Sequence, residues 1–146
     1  MKSKYIVGAF IVGALIMGYL YSNRATDPGI EPVSTTESIS IELSDYSGSG
    51  QSGTASLSEV DGKAVIEISV SGYDAQGPQP AHIHSGLCPR IGPVIHKLSD
   101  VIDGTSTTTL NIPLNDVLSS GDELNINVHA SYDDFKTYTA CGDLKQ

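Results

Sequence analysis

The sequence has no tryptophan, only two phenylalanines, and eight basic residues against seventeen acidic ones. With so few large aromatic side chains, valine, isoleucine and leucine must build the core, which favours strands over helices. The net charge of −9 excludes a nucleic-acid partner, because the phosphate backbone is itself negative. A small anionic substrate would also be repelled unless local geometry compensates.

Only one long hydrophobic run is present, from Tyr5 to Tyr21, and it follows two lysines. It is about as long as the shortest membrane-spanning helices, ~17 residues. No pair of small residues marks a cleavage site after it. We therefore interpret residues 1–21 as an uncleaved signal anchor with its positive end in the cytoplasm, rather than as a cleaved signal peptide. Both interpretations export the rest of the chain, either tethered to the cell membrane or secreted.

The remaining chain divides into a linker and one domain. Residues 22–38 are polar, contain two prolines and show no periodicity, which predicts a flexible linker. Residues 39–146 are long enough to bury a core without a metal.

Short alternating segments dominate residues 39–146. Ile39, Ile41 and Leu43 would share one face of a strand, and the turn Asp61–Gly62 joins two further alternating segments as in a β-hairpin. Only residues 114–122 resemble a helical turn. Strands of this length and spacing predict an antiparallel β-sandwich or barrel of about eight strands.

The four histidines are the residues most suggestive of chemistry. His82 and His84 lie two apart on a predicted strand, so both rings point to one face and can converge on one metal ion. Residues 123–130 repeat the alternation, so His129 can supply a third imidazole. His96 is a candidate fourth ligand. The alternative is that these histidines are surface residues, or core residues with satisfied hydrogen bonds.

Three imidazoles suit either a zinc hydrolase with an open water position or a copper centre without acidic ligands. Other catalytic motifs are missing from the sequence. No serine lies in a nucleophile elbow, and the glycine-serine loop at Ser47 to Gly53 lacks the lysine of a phosphate-binding loop.

Cys88 and Cys141 are the only cysteines. In an exported domain two such cysteines are expected to form a disulfide, and two buried free thiols are the alternative.

The order of these motifs resembles the copper/zinc superoxide dismutase superfamily. The match runs from "AHIHSGLC" through "GP" and "NVHASYDD" to "ACGDL", over roughly residues 38–144. The resemblance implies a Greek-key, immunoglobulin-like β-sandwich that carries one copper ion. It also implies that His82, His84 and His129 are copper ligands and that Cys88 pairs with Cys141.

Three departures from the dismutase pattern limit the resemblance. Val94 stands where the enzymes carry the histidine that bridges copper and zinc, and His96 comes two residues later. The long zinc-binding loop is nearly absent, so no zinc site is expected, although Asp100 or Asp103 could supply one ligand. Tyr138 occupies the place of the arginine that attracts superoxide.

The short loops and the "HIH-x-G…GPV" core also resemble the CHRD domain, a β-sandwich module of poorly defined activity. Together the resemblances imply an extracytoplasmic, membrane-tethered copper-binding domain. Three functions remain open: dismutation of superoxide at a copper-only site, copper binding or sequestration without turnover, and a metal-free interaction module. The sequence leaves the oligomeric state open.

Overall fold

The computed structural model describes residues 38–144 of the chain. The predicted signal anchor at residues 1–21 and nearly all of the predicted linker lie outside these residues, so both stay predictions. Within the described part, no helix is both long and apolar enough to cross a bilayer.

Eight strands and one short helix make up the described fold. The strands are β1 (Ile39–Asp45), β2 (Ser52–Val60), β3 (Lys63–Ser71), β4 (Ala81–Leu87), β5 (Arg90–Lys97), β6 (Thr105–Leu110), β7 (Leu124–His129) and β8 (Tyr138–Leu144), and α1 (Leu114–Leu118) lies between β6 and β7. They form one curled antiparallel sheet in the order β5-β4-β7-β8-β1-β2-β3-β6. The all-β antiparallel fold of about eight strands is therefore confirmed, and α1 falls where the sequence indicated a helical turn.

The hairpin between β2 and β3 forms at the predicted turn. Val60 pairs with Lys63, so the loop consists of Asp61 and Gly62 alone. Both residues have positive φ, 51° and 72°, as a tight hairpin turn of the right twist requires.

Strand β1 joins the two halves of the curled sheet because it changes partner along its length. Residues Ile39 to Leu43 pair with β2, whereas Ser44 and Asp45 pair with β8. At this crossing, a Cβ atom on Gly142 of β8 would overlap the carbonyl oxygen of Glu42. Glycine is therefore required for the close approach of the two strands.

The apolar core lies inside the curled sheet and is built from alternate residues of the strands, including Leu57, Ile66, Ile83, Ile126 and Val128. Strand β7 differs from the others because all six of its residues are buried. The face of β7 that points away from the core is part of a buried polar layer on the outer side of the sheet. This layer contains His82, His84, Asn125, Asn127 and His129. This layer carries the candidate site.

Candidate metal centre

His82, His84 and His129 form one buried group in the polar layer. One ring nitrogen of each lies within 4.8 Å of the others, and the side chains are 5%, 4% and 1% exposed. Adjacent strands β4 and β7 create the group, since they pair residue by residue from Ala81 opposite Val128 onward. The structure thus brings together the three imidazoles that strand alternation had placed on shared faces.

Two backbone carbonyls fix the tautomers of two of the rings. His84 Nδ1 lies 2.7 Å from the carbonyl oxygen of Gly92, and His129 Nδ1 lies 2.6 Å from that of Phe135. Because a carbonyl oxygen only accepts, each Nδ1 carries the proton and donates it. The Nε2 atom of each ring therefore holds a free lone pair.

The Nε2 atom of His84 is buried and has no hydrogen-bond partner. Leaving a buried acceptor unsatisfied costs about 1–3 kcal/mol. The ring cannot turn over to satisfy it without losing the bond to Gly92. An unpaired lone pair held in this way suits a metal ligand.

The third ring completes the set of donors. His82 Nδ1 lies 3.0 Å from His129 Nε2. Since His129 Nε2 is an acceptor, His82 Nδ1 donates in the metal-free protein. A cation would replace this proton, and the ligand atoms would be Nδ1 of His82 with Nε2 of His84 and of His129. Such an all-imidazole set fits copper or zinc.

Burial favours the neutral form of His82 and His129. The pKa of His82 falls from 6.5 to about 4, first because burial disfavours the charged ring and then because His129, His84 and Lys97 repel its charge, while Asp100 partly opposes the shift. The pKa of His129 is also lowered, chiefly by burial, against the opposing effect of its bond to Phe135. Metal ligation requires neutral imidazole, so this environment favours it.

Two aromatic side chains flank the group. Phe135 stacks on His129 with the ring centroids 4.1 Å apart and lies 5.4 Å from His82. Phe135 is 41% exposed and its ring contacts both imidazoles, so it covers them on one side. The centroid of the Tyr138 ring lies 4.7 Å from that of His129 and 6.2 Å from that of His84. Sequence spacing gave no signal for Phe135, because the turn after β7 decides where its ring lies.

His96 lies apart from the group of three. It is opposite Ile83 in the β4–β5 pair, next to an irregularity that leaves Ile95 as an extra residue of β5. Its Nε2 is also buried without a partner. Lys97 is the residue opposite His82. Asp100 accepts the hydroxyl of Tyr132 at 3.0 Å and is not part of the group. Ligation by His96 stays a prediction.

The predicted disulfide between Cys88 and Cys141 is present. It ties the tip of the β4–β5 hairpin to β8. The Cys88 N–H also donates to Asp143 at 2.8 Å, and the Tyr46 hydroxyl donates to the carbonyl oxygen of Pro89 at 3.2 Å. The same hairpin carries Gly92, so these bonds hold the segment whose carbonyl orients His84.

No protein-family model, curated protein or solved structure matches this chain. The function must therefore be argued from the geometry of the site and from the motifs in the sequence.

Proposed function

We propose that the domain binds one copper ion through His82, His84 and His129. Two observations carry the proposal together: one ring nitrogen of each of the three histidines lies within 4.8 Å of the others, and the Nε2 of His84 is buried without a partner. The donor set alone suits zinc as well as copper. The choice of copper is supported by the resemblance of the motifs to the dismutase superfamily.

The chain contributes orientation and protection to such a site. Carbonyl oxygens behind His84 and His129 fix the tautomers that leave both Nε2 atoms unprotonated, and partners of this kind raise metal affinity. The Phe135 ring excludes water on one side. A bound copper ion supplies one-electron chemistry between Cu(II) and Cu(I).

Dismutation of superoxide extends this proposal. The motif order supports it, and so does Lys97, a cation directly across the strand pair from His82. Copper binding without turnover is the second candidate function. It is favoured by the uncharged Tyr138 beside the imidazoles and by the net charge of −9, since both weaken the capture of an anion.

The Greek-key, immunoglobulin-like sandwich and the tethered, extracytoplasmic location belong to the same proposal. The disulfide supports the extracytoplasmic location because such bonds persist in oxidising compartments. A metal-free interaction module, as in the CHRD resemblance, is the outcome if no metal binds.

Copper affinity tests the first proposal. The full chain, stripped of metal with its disulfide intact, is titrated with Cu(II) against a competing chelator, and zinc is titrated in parallel. We expect one equivalent to bind, and His82→Ala, His84→Ala and His129→Ala each to weaken binding by more than ~100-fold, beyond the loss typical of outer-shell changes. Circular dichroism checks that each variant is folded.

His96→Ala is the matched control, because His96 lies outside the group of three, and we expect unchanged affinity. A loss equal to that of the other three would instead support the fourth ligand predicted from the sequence. Triad variants that bind copper as tightly as the wild type would contradict the proposed site.

Superoxide consumption by the copper-loaded chain separates turnover from binding. A rate above that of free copper salt at equal concentration supports dismutation. A rate no higher leaves copper binding as the function.

A further inference from the structure

A buried polar cluster outside the three imidazoles holds the backbone of His129. Gln51 and Gln79 are each 2% exposed and Thr139 is fully buried. The Gln79 side-chain amide donates to the His129 carbonyl oxygen at 3.0 Å. The His129 N–H donates to the carbonyl oxygen of Pro80 at 2.8 Å. The dipeptide Gln79–Pro80 therefore binds both backbone polar groups of His129.

A β-bulge explains why His129 needs these partners. Val128 pairs with Ala140 and His129 pairs with Tyr138, so Thr139 is the extra residue on β8. The bulge brings Tyr138 onto the face of His129. It also interrupts the hydrogen bonds between β7 and β8, so side chains bind the carbonyl groups nearby. The Thr139 hydroxyl donates to the Val128 carbonyl oxygen at 3.1 Å, and the Gln79 amide donates to that of His129.

Gln51 fixes the orientation of the Gln79 amide. Because the His129 carbonyl only accepts, the amide nitrogen of Gln79 must face it. The Gln79 Oε1 then accepts from Gln51 at 2.9 Å, and the Gln51 Oε1 accepts from Gln79 at 3.1 Å. A flipped Gln79 would bring two buried carbonyl oxygens together, so the reciprocal pair locks one orientation.

The same dipeptide positions the first ligand strand. Gln79 and Pro80 immediately precede β4, and His82 follows two residues after Pro80. A short hydrogen-bonded path thus runs from the start of β4 through Pro80 to His129. His82 Nδ1 and His129 Nε2 lie 3.0 Å apart beside this path.

We propose that Gln79 is a positioning residue of the metal centre: by binding the His129 carbonyl, it holds the ligand nitrogen of His129 at the correct distance from that of His82. This inference rests on the proposed metal-binding function and adds to it a residue that touches no ligand side chain. Gln79 acts through the backbone at the bulge.

Gln79→Met tests the proposal, because methionine has a similar length and no amide. In the metal-free, nitrogen-15-labelled full chain, we expect the imidazole nitrogen shifts of His82 and His129 to move as their hydrogen bond is lost. Cu(II) should bind about 10-fold more weakly, as when a residue that holds a metal ligand in place is lost, and its electron paramagnetic resonance spectrum should change.

Two matched variants separate positioning from stability. Gln51→Met breaks the same buried amide pair but leaves the Gln79 bond to His129, so we expect a comparable fall in Tm with smaller changes in nitrogen shifts and copper spectrum. Gln76→Met changes an exposed glutamine whose side chain bonds only Asp74, and it should alter none of these readouts.

A Gln79→Met protein with a lower Tm but wild-type nitrogen shifts and copper spectrum would overturn the proposal. If that variant does not fold, Gln79→Asn carries the test, since it keeps a buried amide but is one methylene too short to keep the bond to the His129 carbonyl. Smaller changes in the same direction support the proposal, and unchanged spectra overturn it. A wild-type chain that binds no copper contradicts the proposed function, whereas the metal-free nitrogen shifts still decide the role of Gln79.

Discussion

His84 shows how one buried atom bears on function. Its Nδ1 is committed to Gly92, so its Nε2 stays unpaired in a layer that excludes water. The Oδ1 atom of Asn127, opposite His82 on the neighbouring strand, is also buried and unpartnered. Buried polar atoms without partners are uncommon in proteins. Two such atoms in one small layer support the proposed metal site there.

Phe135 makes two separate contributions to His129, and a substitution can remove one of them alone. Its carbonyl fixes the tautomer, while its ring covers the imidazole. We expect Phe135→Ala to keep the copper-binding residues in place but to release copper about 2- to 10-fold faster, since an aromatic pair contributes about 0.5–1.5 kcal/mol. Stopped-flow transfer of copper to a chelator measures the release rate.

Tyr73→Ala provides the control for the Phe135 change, because Tyr73 is a partly exposed aromatic residue outside the ring contacts of the triad. It should release copper at the wild-type rate. Equal release from wild type and Phe135→Ala would show that the ring does not shield the site.

At the scale of strands, alternation predicted which histidines share a face, because successive side chains of a strand point to opposite sides. It worked for β4 and β7, whose pairing is continuous from Ala81 to Ser85. It could not predict that β4 and β7 are neighbours, since that order depends on the whole sheet. It also missed the irregular pairing of β4 with β5, which sets Lys97 opposite His82 and His96 opposite Ile83.

The bulge at Thr139 could not be predicted from the sequence either. Bulges insert a residue without changing the local composition, so spacing alone does not reveal them. The buried pair of Gln51 and Gln79 offered one signal in retrospect: Gln79 stands beside Pro80, immediately before the His-x-His strand. Glutamine is mostly exposed in proteins, so residue type alone does not predict that Gln79 lies in the interior.

The disulfide is the element-scale feature with the largest expected effect on stability. Its cysteines are 53 residues apart, which corresponds to about 4 kcal/mol in the chain-entropy model. We expect the double variant Cys88→Ala/Cys141→Ala to lose roughly that free energy of unfolding. Urea unfolding of the metal-free variant and wild type measures the difference.

Reduction of the wild type with dithiothreitol is the companion measurement, and it should reproduce the shift without any substitution. A urea midpoint that neither treatment lowers would mean that the hydrogen bonds of Cys88 and Pro89 hold the hairpin by themselves.

At the scale of the whole molecule, the curled sheet separates two buried regions with different chemistry. The inner region is apolar and accounts for the core, whereas the outer layer over β4 and β7 is made of imidazoles and amides. The acidic surface, with a net charge of −9, attracts cations toward the domain as a whole. The metal-free fold therefore depends on keeping the outer layer neutral.

We expect the metal-free protein to lose stability as the pH falls from about 6.5 to about 4. The pKa of His82 is lowered from 6.5 to about 4 in the folded state, and that of His129 is lowered as well. Unfolding restores the ordinary values, so in this range the unfolded chain binds protons that the folded chain does not. The stability is complete above pH 6.5 and declines toward pH 4.

Thermal unfolding at a series of pH values checks this expectation, with His82→Gln as the control because glutamine cannot take up the proton. The variant should show a flatter dependence of Tm on pH than the wild type, since the acidic residues titrate in both. Copper affinity should weaken over the same range, because protons and metal compete for the same nitrogens. Identical pH profiles for wild type and His82→Gln would mean that the buried imidazoles do not govern the acid sensitivity of the fold.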